Sequence, residues 1–172
     1  MDDDTFARRE ELQRIPSMPC GLYRSGVAMA GHEDHLGADV LVLLHDHRPD
    51  ELPSVLFPVN NENNRWAFST DSHPADDPEF LRGLVALPDE GFYVLNRQLQ
   101  LSDDPDDRLP EASLVMLGYN RKGHSILFPA RFQALQVVFP ERGYRFESAD
   151  ILAALEPANF DVPPTGENRS IH

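Results

Sequence analysis

The sequence predicts an α+β fold in which a unit of four strands and one helix occurs twice, giving two antiparallel sheets with one helix each. The first observation is a repeat: Ser-Val-Leu-Phe-Pro at residues 54–58 returns 71 residues later as Ser-Ile-Leu-Phe-Pro. A self-match at fixed spacing indicates that one supersecondary unit is used twice. The match extends to further pairs, namely Tyr23 with Tyr93, Phe68 with Phe139, and Leu81 with Leu152.

The second observation is the run at residues 40–44, which is apolar at every position and predicts a short strand buried on both faces. Such a strand needs cover from the other repeat, and we expect the two units to pack about a pseudo-twofold axis. The strands are expected at 21–30, 39–45, 54–59 and 65–69 in the first repeat, and at 91–101, 113–117, 125–130 and 136–139 in the second.

Helix signals occur at the same place in both repeats. Asp77 and Ser148 are good N-cap residues because their side-chain oxygens can accept a free amide of the first turn. We expect each helix to continue to a proline, Pro88 in the first repeat and Pro157 in the second.

The domain organisation follows from these elements. Residues 21–157 form a single domain made of two repeats, 21–87 and 91–157. Residues 1–20 are expected to be a short N-terminal helix and a linker, because acidic residues lead, arginines follow and Pro16 ends the pattern. Residues 158–172 contain polar residues, prolines and a glycine, and they predict a flexible C-terminal tail.

Composition bounds the location and the partners. The single cysteine, Cys20, and an acidic start without a signal-peptide pattern predict a cytoplasmic protein. The net charge of -14 disfavours nucleic acid and anionic membrane as partners and favours a protein with a basic surface. The sequence does not indicate the oligomeric state.

Histidines and acids suggest a metal site, but their arrangement argues against one. His32, Asp34 and His35 share a loop, and His45 and His47 follow the second strand. That strand holds the two groups more than about 20 Å apart, so they cannot share an ion. We therefore predict no metal and no cofactor, with His32, Asp34 and His35 as the alternative metal ligands.

Several side chains instead have the character of interface anchors. Trp66, Tyr119, Arg121 and Phe132 lie in or beside loops that differ between the repeats, and their residue types are favoured at interface hot spots or are large and apolar. No nucleophile elbow, phosphate-binding loop or dinucleotide fingerprint occurs. The sequence thus predicts a non-enzymatic protein-binding module, such as an adaptor, a chaperone-like subunit or an immunity-type inhibitor. The alternative is a metal-dependent hydrolase that uses the His32/His35 or His45/His47 loop.

Overall fold

The computed structural model of the chain describes residues 3–49 and 51–159. It is mostly β-sheet with few helices, which is compatible with an α+β fold. The expected C-terminal tail lies outside the described residues from position 160 onward. Within the described residues, no helix is both long and apolar enough to cross a membrane.

The helices and strands have the following bounds. The helices are α1 (Asp3–Arg14), α2 (Pro78–Arg82) and a 3-10 helix at Ala149–Ala154. The strands of the first half are β1 (Gly21–Ser25), β2 (Leu41–His45), β3 (Ser54–Leu56), β4 (Pro58–Glu62), β5 (Arg65–Phe68), β6 (His73–Pro74) and β7 (Leu84–Ala86). Those of the second half are β8 (Gly91–Leu95), β9 (Leu99–Gln100), β10 (Arg108–Leu109), β11 (Leu114–Tyr119), β12 (Ser125–Pro129), β13 (Arg131–Gln133), β14 (Gln136–Val138), β15 (Tyr144–Phe146) and β16 (Leu155–Pro157).

Two five-stranded antiparallel sheets form the framework. Sheet I has the strand order β6-β3-β2-β1-β7, and sheet II has the order β15-β12-β11-β8-β16. Three two-stranded ribbons extend from them. We call β4–β5 the first hairpin and β13–β14 the second hairpin; β9–β10 is the third ribbon.

The helices begin where the sequence predicts but end earlier. The Asp77 carboxylate accepts the amide of Glu79 at 3.0 Å, and the Ser148 hydroxyl accepts that of Asp150 at 3.1 Å, so both N-caps are confirmed. The expectation that Pro88 and Pro157 end the helices is wrong. Strands β7 and β16 follow the helices and pair with β1 and β8. If the helices continued, the backbone groups at these edges of β1 and β8 would lose those hydrogen bonds.

Sheet I is covered on both faces, as the apolar run at 40–44 predicts. One face lies in core 1, where Val42 and Leu44 pack against Phe80 and Leu81 of α2 and Leu12 of α1. The other face lies in core 2, whose fully buried members include Leu41 of β2 and Val115, Leu117 and Leu127 of sheet II.

The expected pseudo-twofold packing is corrected by these cores. A twofold axis would bring the same face of each sheet together, yet core 2 joins the helix-free face of sheet I to the face of sheet II that carries Ile151 of the 3-10 helix. The two sheets therefore stack with their helix-bearing faces pointing the same way. The repeated pentapeptide also buries different positions in β3 and in β12. Val55 of β3 faces core 1, whereas its sequence counterpart Ile126 of β12 is only half-buried and the next residue, Leu127, faces core 2. A slip of one residue reverses which face a strand buries.

Candidate protein-binding surface

Trp66 of the first hairpin forms the joint between the two sheets. Its indole nitrogen donates to the carbonyl oxygen of Tyr119 at 2.8 Å, and its amide donates to the Glu90 carboxylate at 3.0 Å. The Arg121 guanidinium lies over the indole ring, 5.7 Å from the centroid, in the range of a cation–π contact. Trp66 itself is half-buried and belongs to core 2.

Tyr119 is buried in this joint, and not on a surface turn as the sequence suggested. Its side chain is 2% exposed, and its hydroxyl donates to the Pro88 carbonyl at 2.8 Å. Burial raises the pKa of this phenol well above its ordinary value. The physical reason is that β11 continues to Tyr119 and turns its ring toward core 2. The side chain is therefore not accessible to a partner.

Arg121 is exposed, but its backbone also belongs to the joint. The Arg121 carbonyl accepts the Leu41 amide at 2.8 Å, which ties the turn between β11 and β12 to sheet I. Three of the four residues predicted for an interface thus come together, and the interface they form is internal to the chain.

Phe132 is the predicted anchor that does lie on the surface. It is 78% exposed on β13, in the second hairpin. Two further exposed apolar side chains share this hairpin, Leu135 at 107% and Val137 at 45%. Leu135 and Val137 were not among the residues predicted from the sequence. The available signal was that apolar residues stand where the first repeat has an asparagine-rich loop.

The tips of both hairpins have the same backbone conformation. Asn63 and Asn64 have φ of 52° and 61°, and Ala134 and Leu135 have φ of 44° and 70°. Asparagine adopts this left-handed region readily, whereas alanine and leucine do so at a cost of about 1–2 kcal/mol each. The second hairpin therefore keeps a strained and fully exposed leucine at its tip.

The two hairpins differ in what covers them. In the first, Trp66 and Phe68 pack into core 2. The positions 71 residues later hold Val137, which is 45% exposed, and Phe139, whose ring lies 5.4 Å from that of Phe92. Within the described residues, no third sheet follows the second hairpin in the way that sheet II follows the first.

The outer face of sheet II lies beside this hairpin. We define it by the side chains that point away from core 2, namely Phe92, Val94, Met116, Ile126 and Phe128. Phe92 is 45% exposed, and Phe128 is buried. Gly143 lies against Ile126 and Phe128, and Asn64 lies against Gly118, so other segments cover part of this face. Its exposed apolar area is at Phe92 and along the second hairpin. Contiguous apolar surfaces of this kind mark interaction sites.

The segment that includes the second hairpin and strands β11, β12 and β15 has a net charge opposite in sign to that of the whole chain. Residues 112–146 contain five basic residues and one acidic residue, so the segment is net positive by four charges and the remainder is net negative by 18. The basic residues are Arg121, Lys122, Arg131, Arg142 and Arg145. Arg131 lies on the second hairpin itself, whereas Arg145 pairs with Glu147 at 3.4 Å and Arg121 belongs to the joint.

The alternative metal ligands are used in packing instead. The His32 ring lies 4.6 Å from the ring of His73, and the His35 ring stacks on Phe57 at 4.9 Å. Asp34 is exposed. In the part of the chain that the structure describes, His32, Asp34 and His35 do not form a close group of donor atoms. Comparison with protein-family models, with characterised proteins and with solved structures finds no match to this chain.

Proposed function

We propose that the protein is a non-enzymatic binding module of the cytoplasm that holds a partner protein against the second hairpin and the outer face of sheet II. The observation that carries the proposal is the contrast between the hairpins. Trp66 and Phe68 of the first pack against core 2, whereas Phe132, Leu135 and Val137 of the second are exposed. A partner that covers them would gain the hydrophobic free energy of their burial.

We also propose that the two halves have a tandem origin. Residues 21–87 and 91–157 share the sequence repeat, the strand order and the left-handed hairpin tips. Tyr23 and Tyr93 also make the same contact, each donating its hydroxyl to a carbonyl four residues earlier at 2.7 Å. In stacked repeats each unit buries its neighbour, and the last one needs a polar cap or a partner. Among the described residues no further sheet covers the second unit, and its terminal hairpin has exposed apolar side chains.

The partner is a protein whose contact patch is apolar and carries carboxylates around its edge. The apolar centre matches Phe132 and Val137, and the carboxylates match Arg131 on the same hairpin. The net charge of -14 supports the alternative of a basic partner surface, attracted by the rest of the chain. We favour the partner with carboxylates because charges beside the contact surface, more than the net charge of the chain, set the complementarity of an interface.

The test is site-specific cross-linking in the native host. A photoreactive phenylalanine analogue replaces Phe132 in one variant and Val59 in a matched control, since Val59 is 48% exposed on the first hairpin. We expect a discrete adduct with one protein at position 132 and none at position 59. Excess unlabelled wild-type protein should compete for the adduct, and excess Phe132→Ser protein should not.

Binding of the purified partner then completes the test. Phe132→Ser should weaken it at least about tenfold, as expected for a central anchor. Equal adducts at both positions, or unchanged affinity of Phe132→Ser, would overturn the proposal. A stable dimer of the chain that Phe132→Ser dissociates would also overturn it, because the occupant would then be a second copy.

A further inference from the structure

A cysteine and two histidines meet at one end of sheet I. Cys20 immediately precedes β1, His45 is the last residue of β2, and His47 follows two residues later. The Cys20 sulfur and one ring nitrogen of each histidine all lie within 4.8 Å of one another. Within residues 3–49 and 51–159 this is the one group of three such residues that lies so close.

Strand register brings these side chains together. Gly21 lies opposite Leu44 in the antiparallel pair of β1 and β2, so Cys20 lies beside His45 on the same face. His47, two residues further, returns to that face. The rings of His45 and His47 are 6.1 Å apart and within 20° of parallel.

A buried ion pair holds the two chain segments in place without any ligand. The Asp46 carboxylate, whose side chain is 0% exposed, accepts the Met18 amide at 2.8 Å and pairs with Arg48 at 2.6 Å. Arg48 also donates to the carbonyl oxygens of Leu12 and Ile15 at the end of α1. The segment before Cys20 and the segment that carries His47 are therefore fixed to one another.

The sulfur has a backbone partner and solvent on its other side. The Asp46 amide donates to Cys20 Sγ at 3.3 Å. Such outer hydrogen bonds orient a ligating group and tune its strength as a ligand. Cys20 and His47 are exposed and His45 is half-buried, so an ion from solution can reach all three donors.

We propose that Cys20, His45 and His47 bind one divalent transition-metal ion of the zinc class. Thiolate and imidazole are the donors that such ions prefer. Bonds of about 2.0–2.3 Å place the donors of a tetrahedral ion about 3.5 Å apart. Rotation of the exposed side chains closes the present spacing to that value. Three protein ligands leave the fourth position to water.

This site revises the prediction of no metal. That prediction depended on the separation of the two histidine groups by β2, which the structure shows. It left out Cys20, which is close to His45 only through the pairing of β1 with β2.

The test is a cobalt titration of the full chain, with any affinity tag removed, the thiol reduced and metals stripped with a chelator. Cys20 is the only cysteine, so a thiolate-to-cobalt charge-transfer band reports this site alone. We expect the band to saturate at one Co²⁺ per chain and to disappear when Zn²⁺ replaces the cobalt. Saturation at one ion per two chains would overturn the proposal, because the ion would then bridge copies.

Two matched variants locate the ligands. His45→Gln with His47→Gln should weaken Co²⁺ binding at least about tenfold. His32→Gln with His35→Gln changes the same number of histidines elsewhere and should leave the titration unchanged. A band that persists in the first variant, or is lost in the second, contradicts the assignment.

A second measurement keeps the test valid if the double variant unfolds. Zn²⁺ should slow the reaction of Cys20 with a thiol reagent in the wild type but not in His47→Gln, which changes an exposed side chain. Circular dichroism verifies the fold of each variant. Equal protection by Zn²⁺ in both proteins would show that His47 is not a ligand.

Discussion

Leu135 follows Asn64 by 71 residues and has the same left-handed backbone conformation, with φ of 70° against 61°. Both residues are at hairpin tips, yet Leu135 is fully exposed, whereas the backbone and Cβ of Asn64 lie against Gly118 of sheet II. The strain at Leu135 is not offset by contacts of its side chain within the described structure. Retained strain of this kind is a reason to expect a role in function.

Exchange of these two residues tests that strain. Leu135→Asn should stabilise the protein by about 0.5–1 kcal/mol, because asparagine tolerates the left-handed region. Asn64→Leu should destabilise it by at least as much. Denaturant unfolding measures both changes, and equal stability of wild type and Leu135→Asn would mean that the tip carries no strain.

Trp66 provides the second prediction. Trp66→Phe removes the hydrogen bond to the Tyr119 carbonyl and should cost about 1–3 kcal/mol in the free energy of unfolding. The matched control is Val137→Ala, 71 residues later, which should change stability by less than about 0.5 kcal/mol because that position is exposed. Thermal unfolding of the two variants provides the comparison. Equal losses would contradict the view that only the first hairpin is anchored.

Much of the framework was predictable because its signals are local. The strands around the repeated pentapeptide, the N-caps Asp77 and Ser148, and the double burial of residues 40–44 each depend on residue types within a few positions. The lengths of the helices were not predictable from the sequence. Residues 84–86 continue an apolar pattern that suits either a last helical turn or a strand, and pairing with the free edge of β1 decides for the strand.

The candidate sites depend on contacts between distant parts of the chain. Sequence identified Trp66 and Arg121 as anchors but did not reveal that they contact each other within the chain, where the first hairpin meets sheet II. It also could not place Cys20 beside His45, because the register of β1 against β2 is set by packing on both faces of sheet I. Phe132 was identified because a large apolar residue in a polar turn is recognisable without its contacts.

Glu90 leads to a prediction about pH. Its carboxylate is half-buried beside Trp66, and one carboxylate oxygen has no hydrogen-bond partner among the residues that the structure describes. Burial is the largest cause that raises its pKa above the ordinary 4.5; Asp89 raises it further, whereas the Trp66 amide and Arg65 oppose the shift. The folded state thus binds this proton more tightly than the unfolded chain. The ionised form therefore costs stability at neutral pH, and the cost is lost as the pH falls through the folded pKa.

Glu90→Gln should remove that cost. The variant should melt at a higher temperature than the wild type at pH 7, and the difference should shrink as the pH is lowered to about 4.5 and below. Glu111→Gln, at an exposed position, is the control for the loss of one negative charge. If both variants respond to pH in the same way, the effect comes from net charge and not from burial of Glu90.

Leu41 tests whether core 2 holds the two halves together. Its side chain is fully buried between the sheets, so Leu41→Ala should cost about 2–5 kcal/mol. Residues 21–87 alone should expose this face and aggregate or remain unfolded, and so should residues 91–157 alone. Val85→Ala, at a 43% exposed position of the same sheet, is the matched control. A cooperative, soluble fold of either half would contradict the stacked arrangement.

Charge reversal tests the partner chemistry once the protein that cross-links at position 132 has been purified. Arg131→Glu reverses a charge on the second hairpin, and Arg8→Glu makes the same change on α1. If the partner has carboxylates at its rim, Arg131→Glu should slow association by up to about tenfold and Arg8→Glu should change it little. Higher salt should reduce the difference, since the Debye length falls from about 10 Å at 0.1 M to about 3 Å at 1 M. A basic partner surface predicts the opposite: both variants would associate faster than the wild type at low salt, and the partner assignment made from the local charge would be wrong.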